Sequence, residues 1–175
     1  MSEKIWREVV KLKQEKPIVV SMSDVAASGG YYIACAANSI VAESNTITGS
    51  IGVFGMIPNI KKFMEDKVGI EVDQVTTNPH AAMSIFTPLD NEERAAIQRS
   101  VNQVYKTFTT RVAEGRGLTT QYVDSIGQGR VWSGTDALRL HLVDTLGGLD
   151  VAIAKAAQLA NIKSYKVDYF PRTKD

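Results

Sequence analysis

Short β-branched runs alternate with helical stretches through the first half of this chain, and that order constrains its fold more than any other feature. Residues 18–22, IVVSM, are a run suited to a strand buried on both faces. A turn-like Ser-Asp pair leads into AASGGYYIACAAN, whose later apolar residues suit a helix ending near Asn38. Residues 39–44, SIVAES, read as a second buried strand, and NTITGSIGVFG has the β-branched residues and glycines of a strand plus a backbone-dense loop. Residues 60–68 are predicted helical with Gly69 as their stop, IEVDQVTT at 70–77 as the next strand, and 78–88 as irregular. Strand and helix in alternation imply a mostly parallel sheet, wound right-handedly with flanking helices, hence an α/β fold.

Helices dominate elsewhere. The chain opens on an amphipathic pattern with Ile5, Val9 and Leu12 on one stripe, which Pro17 stops. From Asp90 to about Glu114 a long helix is expected, with Asp90 and Glu93 as a capping box and Ile97, Val101, Val104, Tyr105 and Phe108 at helical spacing. Shorter helices follow at 119–126, at 136–142 with Ser133 as cap, and at 150–160, before a last strand, YKVDYF. The helical second half is expected to pack over the sheet or against a neighbouring subunit. No linker, low-complexity segment or internal repeat divides residues 1–175, so one domain is expected.

Several function classes recede on charge and composition. With 20 Lys and Arg against 19 Asp and Glu spread along the chain, there is no field to attract a polyanion, and nucleic acid is not an expected partner. No nucleotide loop, metal-ligand cluster or cofactor signature is visible, and neither a membrane-spanning run nor a secretory signal is present. The single cysteine, Cys35, sits among small apolar residues as a buried thiol and leaves the redox compartment undecided. Because no strand precedes the opening helix, the chain reads as the middle of a longer protein.

The chemistry-bearing candidate is Ser28, at a strand-to-helix turn and followed by Gly29 and Gly30. Such a turn frees a hydroxyl and lets a substrate backbone approach, while the helix's first N–H groups, beginning with that of Gly29, can stabilise an oxyanion by roughly 3 to 4 kcal/mol per donor. Small-residue packing at a strand-helix junction explains the same tripeptide. Asp24 reads as a cap for the following helix, with orientation of a base as its other role, and His141 as a helix C-terminal residue.

The longer string KPIVVSMSDVAASGGYYIACAANSIVAESNTITGSIGVFG resembles the active-site region of the signal peptide peptidase A, or protease IV, family. GRVWSGTDALRLHLVDTLGGLDVAIAKAAQLA, residues 129–160, is similar to that family's C-terminal segment. The resemblance implies the crotonase-like fold of the Clp protease and peptide hydrolysis by a Ser-Lys dyad, with Ser28 as nucleophile. It gives Ser50, in Thr-Gly-Ser-Ile-Gly, the task of supporting the lysine, although a loop serine satisfied by local backbone fits the same position. Gly30, Gly52, Val53 and Phe54 are implied near substrate, with core packing as the other explanation for Val53 and Phe54.

The family's lysine is expected about fifty residues after the serine, where His80 stands, and no lysine occurs between Lys67 and Lys106. Long family members have two homologous halves, the first carrying the lysine and the second the serine, and this chain has the pattern of the second. The expectation is therefore a C-terminal half that is inactive alone. A Ser-Pro-Gly-Gly type segment giving a second oxyanion donor, and a membrane anchor, are expected upstream. The resemblance further implies apolar signal peptides as substrates, bound extended, a homo-oligomer, and a place on the bacterial inner membrane facing the periplasm. Two other readings remain: a Ser28–His80 hydrolase, and a crotonase-like acyl-CoA enzyme that holds an enolate oxygen on two backbone N–H groups.

Overall fold

The structure is a computed structural model that describes residues 1–78, 81 and 83–171. It divides into two compact units, one of residues 1–52 and 107–175, the other of 53–106.

In the first unit, helix α1 (Ser2–Leu12) precedes strands β1 (Val19–Met22) and β2 (Val25–Ala27). Helix α2 (Gly29–Ala34), strand β3 (Ser39–Ala42) and strand β4 (Ile47–Gly49) follow. After the second unit come the end of α4 (Asn91–Arg116), α5 (Thr120–Ile126), β5 (Val131–Ser133), α6 (Gly134–Arg139), β6 (Thr145–Leu146) and α7 (Leu149–Leu159). One sheet has the order β1-β3-β6, parallel throughout. The other has the order β2-β4-β5, with β2 and β4 parallel and β5 antiparallel. The α/β class with mostly parallel strands and flanking helices is as expected.

Strand β3 is buried along its whole length, as SIVA implies. Strand β1 is not buried on both faces: only Met22 is buried and Ser21 is exposed. The buried core gathers Tyr31, Tyr32 and Cys35 of α2 and its cap, Phe108 and Val112 of α4, and Val123, Leu142 and Val143. Helix α1 faces it with Trp6, supported by Val9 and Val10, whereas Ile5 and Leu12 are exposed. The expected stripe is thus rotated by about one residue, roughly 100°, because the largest apolar surface on the helix is the indole.

Helix α2 stops at Ala34, short of Asn38. Asn38 is tied to the entry of β1, its N–H donating to the Ile18 carbonyl and its Oδ1 accepting from the Ile18 N–H, each at 2.9 Å. That clamp turns the chain out of the helix and into β3. Asp24 does not cap a helix, since β2 intervenes; its carbonyl accepts the Ile47 N–H at 2.8 Å. Ser133 does cap α6, accepting the Asp136 N–H at 3.1 Å, and Thr119 caps α5 in the same way. His141 lies just past α6 with φ of 61°, its carbonyl held by Arg116 Nε at 3.2 Å.

In the second unit, α3 (Lys61–Phe63) continues into a π-helical turn (Met64–Val68) that ends at Gly69, whose φ of 70° is the left-handed stop expected there. The capping box at the start of α4 forms, Glu93 N–H donating to Asp90 at 2.8 Å and Asp90 N–H to Glu93 at 2.9 Å. Residues 70–77 make no ladder, and Ile70, Val72 and Val75 are exposed. Residues 165–170, in the first unit, make none either, with Tyr165, Tyr169 and Phe170 exposed. Both have the composition of strands, but a strand needs a neighbouring strand to satisfy its backbone, and among the described residues neither segment pairs with one.

Candidate active site

Strands β2 and β4 run in parallel with Val25, Ala26 and Ala27 opposite Ile47, Thr48 and Gly49. One residue beyond the last pair stand Ser28 and Ser50, on neighbouring strands that lie about 4.8 Å apart. Both leave the extended conformation at the same level. Ser28 has φ 52° and ψ −117°, and Ser50 has φ 50°. A positive φ favours glycine, and the Ser28 pair of angles is one that side chains rarely adopt; holding a side chain there costs of order 1–3 kcal/mol.

The surrounding backbone over-determines both positions. The Ser28 N–H donates to the Gly49 carbonyl at 2.9 Å, and the Ser50 N–H to the Arg130 carbonyl at 2.8 Å. Below them the Thr48 hydroxyl, fully buried, donates to the Ala26 carbonyl at 2.8 Å. Gly52 abuts the next loop so closely that a Cβ would stand 2.6 Å from Gly129 Cα. Ser28 is the N-cap of α2, yet its hydroxyl does not cap the helix; it is exposed and bonds to no described residue. A serine at a helix start ordinarily turns its oxygen to the N2 or N3 amide. Here it points elsewhere, leaving the N–H groups of Gly29 and Gly30 without an intrahelical acceptor.

The geometry is that of a nucleophile elbow: a strained serine between a strand and a helix, its hydroxyl presented outward, with first-turn donors beside it. Gly30 has open space where a Cβ would project, so a substrate backbone can come close there. Val53 and Phe54 are the first residues of the second unit, and Phe54 is 94% exposed. His80 lies outside the described residues. Among those residues no cluster of His, Cys, Asp and Glu is placed to hold a metal ion.

Relieving the strain at Ser28 stabilises the protein. Ser28→Gly is expected to gain about 1 kcal/mol, after the entropic cost of an added glycine, and to raise the melting temperature by roughly 2–4 °C. A fall on calorimetry would show that the backbone there is unstrained.

Cys35, seven residues on, belongs to the core. Burial pushes its thiol up to about 12, and Sγ lies 3.1 Å from the Tyr32 carbonyl. A raised folded value means that the neutral thiol's contribution to stability is complete below the ordinary thiol range and is lost as pH rises toward about 12. At pH 8, alkylation of Cys35 in the folded protein should run on the order of a thousandfold slower than for a free thiol, recovering in denaturant. Equal rates in both states would place this thiol at the surface.

The sequence placed Ser28 and Gly29 at a strand-to-helix turn and Ser50 in a loop after a strand, but it did not reveal strand β2, because three residues, Val-Ala-Ala, carry no strand signal of their own. It also missed the contact between the start of α1 and the start of α2, where a Cβ on Gly29 would come 2.9 Å from Ser2 Oγ.

The family model described as Peptidase family S49 matches residues 10–163. Protease 4 of Salmonella typhi is 46% identical over 155 residues, which is 89% of this chain and 25% of that protein. Serine protease SPPA, chloroplastic, of Arabidopsis thaliana is 42% identical over 163 residues, 92% of this chain and 24% of that one. Protease 4 of Haemophilus influenzae is 40% identical over 176 residues, 97% of this chain and 28% of that one. The chain thus spans about a quarter of the length of these relatives. A solved enoyl-CoA hydratase/isomerase family protein from Hyphomonas neptunium covers 89% of this chain and 41% of its own, at 18% identity and a TM-score of 0.46.

Proposed function

This chain belongs to peptidase family S49, and on that premise we propose that it is the serine-bearing part of a peptidase in which Ser28 attacks the scissile carbonyl. The observation that carries this reading is the backbone of Ser28, φ 52° and ψ −117°, maintained at a strand-helix junction with a free hydroxyl. Strain of that kind persists where chemistry requires it.

A serine hydroxyl is a weak nucleophile until a base removes its proton. The base in this reading is a lysine amine that other residues of the longer protein bring to Ser28. Two facts support it: the hydroxyl has no partner among the described residues, and the sequence has no lysine from 68 to 105. The amine must be neutral to act, so desolvation or nearby positive charge lowers its pKa. Ser50, on the adjacent strand, holds that amine; Gly29 N–H receives the oxyanion. As the tetrahedral intermediate collapses to the acyl-Ser28 ester, the protonated lysine gives its proton to the leaving amine while the C–N bond breaks. The lysine amine, neutral again, takes a proton from the water that hydrolyses the ester and frees the Ser28 hydroxyl. Alone, these 175 residues are expected to turn over little peptide.

Apolar peptides such as remnant signal peptides are the substrates of this reading, bound extended past Gly30 and Gly52. The same reading has the longer protein assemble with copies of itself and sit anchored at the bacterial inner membrane with its catalytic part in the periplasm. Among the described residues no helix is long and apolar enough to cross a membrane, so the anchor belongs to other residues. A fluorophosphonate probe applied to the longer protein tests the assignment. Labelling that vanishes in Ser28→Ala supports it, and labelling that survives that substitution refutes it.

A further inference from the structure

Helix α2 has six residues, too few to hold its own shape in water. It nevertheless has to fix the carbonyl of Ser28, which accepts the Tyr32 N–H at 2.9 Å, and so maintain the strained turn from its downstream side. Something outside the helix therefore sets its position.

Two tyrosines anchor it. Tyr31 is fully buried and donates its hydroxyl to the Leu142 carbonyl at 2.8 Å, an ordinary core bond. Tyr32 differs. Its hydroxyl donates to Glu3 Oε2 at 2.5 Å, and its ring centroid lies 4.9 Å from that of Phe108 in α4. The other oxygen of Glu3 accepts from Arg7 Nε at 2.9 Å and Arg111 Nη2 at 3.4 Å. Arg111 in turn stacks 3.9 Å from the Trp6 ring and bonds Glu114 at 3.2 Å. A phenol donating to a carboxylate held by two guanidinium groups is a charge-assisted bond, about twice as strong as a neutral one.

The first turn of α1 therefore meets α2 at two levels. Ser2 touches Gly29, the residue after the nucleophile, and Glu3 grips Tyr32 one turn further on. Packing alone does not require this, because a phenylalanine would fill the same space beside Phe108 without a buried hydroxyl to satisfy. We propose that the Glu3–Tyr32 hydrogen bond, steadied by Arg7 and Arg111, is a positioning device for Ser28 that sets the angle at which helix α2 presents the nucleophile. This rests on the reading of Ser28 as nucleophile. Glu3 and Tyr32 touch no reacting atom; they act through the helix. The electrostatics agree, since the Tyr32 bond, ahead of the flanking arginines, holds the Glu3 carboxyl below its usual range.

The test uses the full-length protein, well below its melting temperature, with three readouts: the rate of Ser28 labelling by a fluorophosphonate, kcat, and KM. Tyr32→Phe, which keeps the ring, and Glu3→Ala should each lower labelling rate and kcat about tenfold with KM within twofold. The double variant should be no slower than either single one, because both remove the same bond. Glu8→Ala, which breaks only an exposed pair with Lys11, should leave all three readouts unchanged. Wild-type labelling in Tyr32→Phe, losses that multiply in the double variant, or a rise in KM alone would each overturn the proposal. Should Tyr32→Phe not fold, Glu3→Ala and Glu3→Gln decide the matter: recovery of labelling in the amide, which still accepts the phenol proton, supports positioning, and wild-type labelling in the alanine variant refutes it. Labelling that persists in Ser28→Ala is a separate result, and overturns the nucleophile assignment instead.

Discussion

Full-length protein carrying Ser28→Ala is expected to lose peptide hydrolysis by roughly 10⁴- to 10⁶-fold in kcat, the range seen when a serine hydrolase loses its nucleophile. The change removes one oxygen from an exposed side chain, so the fold should be untouched. Alanine at φ 52° is no more comfortable than serine, and the melting temperature should move by less than about 2 °C. KM should stay near its normal value, because the hydroxyl forms its bond to the carbonyl only as reaction proceeds. Activity that persists within a hundredfold would move the nucleophile elsewhere. Lost activity together with lost folding would make the serine structural.

The largest stability effect is expected at a glycine far from any chemistry. Gly115 lies in the last turn of α4, where an ordinary helix gains about 1 kcal/mol from alanine. Here the sign reverses. A Cβ on Gly115 would stand 2.1 Å from the Cys35 carbonyl oxygen and 2.8 Å from its carbon. Both are backbone atoms of the cap of α2, and the helix pair cannot stay in contact with a methyl group between them. Gly115→Ala should destabilise by about 3 kcal/mol, at the upper end of overpacking costs, and lower the melting temperature by roughly 6–12 °C. A rise in melting temperature would mean that α4 and α2 are not in contact. Gly134 makes a similar approach, 1.9 Å to the Glu43 carbonyl oxygen, at the start of α6.

The local signals that sequence carries best were borne out where one segment contains its own instructions. SIVA needs burial on both faces, the Ser133 cap needs a single side chain, and Gly69 needs only its missing Cβ. Ser28 and Ser50 were legible as residues but not as geometry. Nothing in Ala-Ser-Gly-Gly says that Ser28 adopts a glycine conformation; that follows from the ladder with β4, twenty-two residues away in register. Strand β2 was hidden because its pairing, not its composition, makes it a strand. The errors ran the other way at 70–77 and 165–170, where strand composition met no partner. The link from Glu3 to Tyr32 to Ser28 joins residues whose separation in sequence has no period to betray it.

The ladder between β2 and β4 also governs what can go wrong. Because both serines leave their strands at the same level, a slip of one residue would separate them and turn every side chain of the moving strand to the opposite face. The hydroxyl of Thr48, buried and bound to the Ala26 carbonyl, is what such a slip would have to break. Alignment of the two serines is therefore a property of the sheet, decided in the core, and an inherited substitution at residue 48 would set Ser50 out of step with Ser28 while leaving both residues in place.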